Sequence, residues 1–208
     1  MNIHILESKD WAKCAIGKAE ISKWIAEAAE EASDLLIDIM PTLNIIVKPN
    51  LPHVSSNKGV GGSTYDHELV DITFDTAIPF GADKLQKYLR EAVFHEMNHA
   101  MYSRFYPREG RQLYWTILEG LGTVFDRDYA DGEHFTEVDM ASDLEKREWL
   151  NKYIVTSTRY NDVPDDSRGM VYQVGVWLVD RAMKNSGKNV VELTHLSPDE
   201  ILELADIG

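Results

Sequence analysis

Residues 83–105, DKLQKYLREAVFHEMNHAMYSRF, decide how the rest of the chain is read. After Pro79 and Gly81 the pattern turns helical, and Pro107 stops it, so one helix is expected over Asp83–Phe105. Inside it, His95-Glu96-Met97-Asn98-His99 is an HExxH sequence. At roughly 100° per residue, two histidines four apart stand on one helical face, where both imidazoles can bind the same Zn²⁺. Glu96 adjoins that face and can act as general base on a metal-bound water, whose pKa zinc lowers to about 7. Composition alone would produce the motif about 0.02 times in a chain this long. The apolar bracket of Ala92, Val93, Phe94, Met97, Ala100 and Met101 adds the helical context that the chemistry requires. The bland alternative is a polar patch of two histidines beside a glutamate.

A catalytic zinc normally takes three protein ligands. The next expected helix, about Gln112–Arg127, carries Glu119 as the only charged residue in an apolar or small run from Leu113 to Phe125. An acid there is exposed at a turn, paired with a cation such as Arg127 or Arg104, or bound to metal. Gly120 and Gly122 are costly in a helix interior but admit close approach of another helix or a ligand. The turn Tyr106–Gly110 leaves room to fold this helix back on the first, which gives a His95, His99, Glu119 zinc site.

Upstream, apolar residues from Asp10 to Met40 recur at helical spacing, ended by Pro41, and residues 2–6 are a short strand or an extended lead-in. Leu43–Lys48 has the β-branched density of a strand. Ser55–Tyr65 is the most Gly/Ser-rich stretch and is read as a loop or irregular edge, its glycines Gly59, Gly61 and Gly62 serving turn geometry. Leu69–Ala77 alternates, with Val70, Ile72 and Phe74 on a buried face and Asp71, Thr73 and Asp75 opposite. Downstream, helices are expected at about Ser142–Tyr153 and Gly169–Asn185 and after Ser197-Pro198, with 155–168 a loop. The order is α+β within a single domain of 1–208: a helical segment 1–41, a strand-rich segment 42–80, and a helical part 81–208 that carries the metal site.

The chain has 208 residues and a formal net charge of −14, which argues against a phosphate-backbone binder. No run approaches the roughly 18 apolar residues of a spanning helix, and MNIHILESKDWAKC lacks the apolar stretch of a signal peptide. With Cys14 the single cysteine, a soluble protein of the reducing cytoplasm is expected, with no nucleic-acid or membrane partner. The acids Asp128, Asp131, Glu133, Glu137, Asp139 and Asp143 follow the Glu119 helix and would bias a nearby cleft toward basic or neutral peptides.

HEMNH followed by an acid in an EG-type helix resembles the gluzincin metallopeptidases, and in more detail the small bacterial YjaZ-like family of zinc-dependent proteases. The supporting segments are GGSTYDHELVDITFD, HEMNHAMYSRF, ILEGLGTVFD and YQVGVWLVDRA, spread over about residues 43–205. The resemblance implies a zincin-like metallopeptidase domain with a small mixed β-sheet and an HExxH active-site helix. It implies His95, His99 and Glu119 as Zn²⁺ ligands, Glu96 as base, a peptide or protein substrate, and strand 69–77 as the cleft rim that pairs with an extended peptide. Tyr172, in a family-like YxxG segment, is the first choice for oxyanion donor, with Tyr160 and His134 as alternatives. Gluzincins commonly place a histidine-orienting acid one turn after the glutamate ligand, but here that position is Thr123. Asp126, Asn98 or a backbone carbonyl can take that role, although Asp126 is read first as a solvated or Arg-paired acid. The function expected is zinc-dependent peptide-bond hydrolysis. Alternatives are a non-proteolytic zinc-containing binding module and a narrow regulatory protease with one cytoplasmic target.

Overall fold

The computed structural model describes residues 1–6, 8–36, 42–49, 59–106, 111–133, 141–154 and 168–207. Its strands are β1 (Asn2–Ile5), β2 (Asn44–Pro49), β3 (Val60–Asp66) and β4 (Leu69–Phe74). They form a mixed sheet in the order β1-β2-β4-β3, parallel from β1 through β2 to β4, with β3 antiparallel on β4. The helices are α1 (Lys18–Leu35), α2 (Ala82–Phe105), α3 (Gln112–Ala130), α4 (Asp143–Trp149), α5 (Arg168–Ser186), α6 (Val190–Leu193) and α7 (Pro198–Ala205). The architecture is α+β with a small mixed sheet. None of the described helices is long and apolar enough to cross a membrane.

Period-two alternation puts Ile45 and Val47 of β2 and Val70, Ile72 and Phe74 of β4 on one sheet face, all fully buried. Helix α2 lies against β3 and β4, and α1 packs on α2 through Ile21, Trp24, Ile25, Ala28 and Ala32, the i, i+3, i+4 stripe of an amphipathic helix. The same core continues through Phe94 and Met97 of α2 into Leu118, Leu121 and Phe125 of α3 and Val174 and Leu178 of α5. Phe94 and Phe125 stack at 5.5 Å between ring centroids. Helix α3 is central to the helical part, touching α2 on one side and α5 on the other.

The contact between α3 and α5 is made backbone to backbone. A Cβ added at Gly120 would come within 2.4 Å of the Gly175 carbonyl carbon and oxygen, and one at Gly175 within 2.2 Å of the Thr116 oxygen. Arg127 then fastens the two helices with a two-pronged contact to Asp180, 3.0 and 2.9 Å long.

Several expectations are corrected. The helix expected from Asp10 is broken: Ser8 caps a short 3₁₀ turn, Lys9–Lys13, and α1 begins only after Gly17. The segment 1–41 is also not wholly helical, because Asn2–Ile5 pairs with β2. Of the stretch 55–65, expected as a loop or irregular edge, residues 60–65 belong to β3, an end strand with a register shift, so the edge reading holds and the loop does not, while 55–58 lie outside the described residues. Strand 69–77 ends at Phe74 and is paired on both sides, so it cannot accept a further strand; among the described residues the end strands of the sheet are β1 and β3. Its second face is covered as well: Asp71 is 4% exposed, bonded to Lys48 and to the Tyr65 hydroxyl. Ser142 caps α4 through a capping box with Glu145, and the helix then widens into a π turn, Leu150–Ile154. The expected loop 155–168 lies outside the described residues except Arg168, which begins α5.

The glycine contact sets a test by urea denaturation. Gly175→Ala should cost about 1–3 kcal/mol through overpacking against α3. Gly169→Ala, in the same helix with open space around it, should be neutral or stabilising by up to ~1 kcal/mol.

Candidate metal centre

The centre forms where α2 and α3 face each other. His95 and His99 stand one turn apart on α2, their ring centroids 4.4 Å apart. Glu119 of α3 reaches between them, with Oε2 3.2 Å from His95 Nε2 and 3.7 Å from His99 Nε2. One ligand atom from each of the three residues lies within 4.8 Å of the others, so the group could hold a metal ion. Zinc bonds of about 2.1 Å at tetrahedral angles would set ligand atoms about 3.4 Å apart, close to the two separations to Glu119. His99 Nε2 is buried without a hydrogen bond among the described residues, an orphan nitrogen that a cation would satisfy. The donor set, two imidazoles and a carboxylate, is the kind zinc takes at catalytic sites.

Glycine makes this convergence possible. A Cβ at Gly122 would lie 2.7 Å from His99 Nε2 and 3.0 Å from His95 Cε1, so only glycine lets both rings sit against α3.

Around the three ligand candidates stands a shell of acids and hydroxyls. His95 Nδ1 is 3.0 Å from Asp126 Oδ2, and Asp126 is completely buried. Asp126 is therefore not a solvated acid, and its carboxylate orients His95. Its seal is the helix end. Asp131 caps α3 in the left-handed conformation, and Gly132 donates its N–H to the Asp126 carbonyl. A Cβ at Gly132 would meet Asp126 Oδ1 at 2.2 Å. Asn98 points elsewhere, donating to Thr194 Oγ1 at 3.0 Å. Arg127, the pairing alternative for Glu119, is engaged by Asp180 and Asp128 instead.

Glu96 lies on the sheet side of α2. Its Oε2 is 3.5 Å from His99 Nδ1 and accepts a hydrogen bond from the Thr64 hydroxyl of β3 at 2.7 Å. Gly62, two residues earlier on the same strand face, abuts Glu96 so closely that a Cβ would fall 2.4 Å from its Cγ. Tyr172 of α5 donates its hydroxyl to the Glu119 carboxylate, which brings it into the group. Tyr160 and His134 lie outside the described residues.

Sequence reasoning missed Thr64 and Gly175 and read Gly62 as a turn glycine, whereas the close approach expected at Gly120 and Gly122 is what the structure has. Only the glycine density of 59–62 and the pair 120/122 hinted at close approach. The acidic surface is also less free than its count suggests. Asp128 pairs with Arg127, Glu133 with Lys87 and Asp143 with Lys146. Glu137 and Asp139 lie outside the described residues.

Electrostatics in the metal-free protein follow from burial. Desolvation pushes the His95 imidazole down, but the hydrogen bonds and charges of Asp126 and Glu119 outweigh it and hold its pKa well above the histidine range. Desolvation likewise pushes Glu119 up, and His99, His95 and Tyr172 together bring it below the ordinary glutamate value. The His95 contribution to stability is complete below about pH 6.5 and is lost as pH rises through its raised pKa. The Glu119 contribution is complete above about pH 4.3 and is lost as pH falls through its depressed pKa. A metal must displace the His95 proton. The rise in melting temperature produced by added Zn²⁺ should therefore grow from pH 6 to pH 8, measured by differential scanning fluorimetry. Asp126→Asn should weaken zinc affinity by about 10- to 100-fold in a competition titration with a chelating dye.

No protein-family model, curated protein or solved structure matches the chain, so the centre is read from its own geometry.

Proposed function

We propose that this protein is a zinc-dependent metallopeptidase with a zincin-like, gluzincin-type site that hydrolyses peptide bonds. The observation that carries the reading is the convergence of His95, His99 and Glu119 on one point, with the orphan His99 Nε2 turned to it and the Glu96 carboxylate alongside. Zinc held there supplies a Lewis acid that polarises a carbonyl and acidifies water. Glu96 accepts the proton of the attacking water and delivers it to the leaving amine. The Tyr172 hydroxyl, one hydrogen bond from Glu119, is the phenolic donor for the developing oxyanion. Asp126 holds His95 through Nδ1 and so presents Nε2 to the centre. The substrate is an extended peptide laid along the outer edge of β3, the end strand that, among the described residues, contacts Glu96, in place of strand 69–77.

A quenched peptide library tests the activity: cleavage abolished by a chelator and restored by Zn²⁺ is expected, and metal uptake with no cleavage of any peptide would favour a binding module. Glu96→Gln should keep its zinc and lose turnover; full activity with zinc retained would sink the base assignment. Glu119→Ala should lower the zinc content found by elemental analysis, and unchanged stoichiometry would remove it from the ligand set. Tyr172→Phe should keep zinc while kcat falls roughly 100-fold.

A further inference from the structure

We infer that Thr64 is a positioning residue for Glu96, holding its carboxylate in one orientation; the catalytic consequence rests on the peptidase reading above. Thr64 is 6% exposed and lies on the inner face of β3, opposite Val70. Its hydroxyl stands 2.7 Å from Glu96 Oε2 and 2.8 Å from the Glu96 backbone oxygen, and its single proton serves one of them at a time. A glutamate has three rotatable side-chain bonds; within α2 Glu96 Oε2 lies 3.5 Å from His99 Nδ1, and the shorter contact, from Thr64, comes from the sheet. Gly62 shapes the other side: its bare Cα leaves the space that Glu96 Cγ occupies, with Glu96 Oε1 2.9 Å from where a Cβ would stand. Two residues of one strand thus define the cradle.

The strand is pinned at that point. Pairing with β4 slips between Thr64 and Asp66, so Tyr65 is the extra residue of a β-bulge. The Tyr65 hydroxyl bonds Asp71 Oδ2 at 2.8 Å, Lys48 bonds the same carboxylate, and the Lys48 ammonium lies 5.7 Å over the Tyr65 ring. These contacts, on the outer face, fix the register that directs Thr64 inward. A residue chosen only for β propensity or packing would need no hydroxyl here, because valine has the same shape.

Two measurements decide the matter. The first does not depend on activity: a double-mutant cycle of Thr64→Val and Glu96→Ala in the zinc-free protein, read as shifts in the urea midpoint. Thr64→Val should lower the midpoint more when Glu96 is present, because a buried carboxylate then loses its donor; additive shifts overturn the inference. The second is kinetic. Thr64→Val should keep its zinc and KM while kcat drops about 10- to 100-fold, and Thr64→Ser should recover most of kcat. An unchanged kcat in Thr64→Val, or an equal loss in Thr64→Ser, overturns it. If the wild-type protein cuts no peptide, the peptidase reading fails and the cycle alone decides whether Thr64 holds Glu96.

Discussion

Helix α3 runs so close to two neighbours that a single methyl group on either side has nowhere to go. Gly120 meets the backbone of α5 at Gly175, and Gly122 meets the two imidazoles of α2. Because the approach is backbone to backbone on one side and backbone to ring on the other, the position of α3 depends little on side-chain rotamers. Glu119 immediately precedes these two contacts on the same helix, and its reach to His95 and His99 follows from them. Glycine at both positions lowers helix propensity by about 1 kcal/mol each, a cost offset by the packing it permits.

That placement brings several ionisable groups into a nearly dry space. His95, His99, Glu96, Glu119 and Asp126 have side-chain exposures between 0 and 19%. Such a cluster is tolerable only when each charge or lone pair has a partner, and here the partners are largely one another. Asp126 and Glu119 share His95, Tyr172 donates to Glu119, and Thr64 donates to Glu96. His99 Nε2 is the exception. That nitrogen, with one donor atom each from His95 and Glu119, makes a group of three that could hold a metal ion and has the chemistry of zinc ligands.

The helical half of this arrangement was legible in the chain because its signals are local. The HExxH spacing, the apolar period around it and the lone acid in 113–125 are all contained within single helices. What escaped reading was non-local. Strand β3 contains Gly61, Gly62 and Ser63, which by composition mark a turn, and it is a strand only because β4 pairs with it and because Glu96 needs the space at Gly62. The edge assigned to strand 69–77 failed for the same reason, since sheet order is a property of pairing and not of alternation within one strand. Glu119 and Asp126, seven residues apart on α3, share a face and both reach His95. Burial of Asp126 depends on the chain folding back at Gly132, two residues beyond the end of α3, which no helical period reports. The break before α1 was likewise hidden, because Ala15 and Ile16 continue the apolar rhythm that the backbone interrupts.

The fold-back at the end of α3 has an implication for how this protein tolerates change. Asp131 and Gly132 serve as ordinary stop signals for a helix, the kind of position where loops usually vary freely. Here the same two residues close the lid over Asp126, which in turn aims a histidine of the centre. Punctuation and chemistry are thus written in the same letters. A substitution that merely lengthened the helix by a turn would disturb the imidazole 37 positions earlier in the chain, and the apparent surface turn inherits the constraint of the buried site.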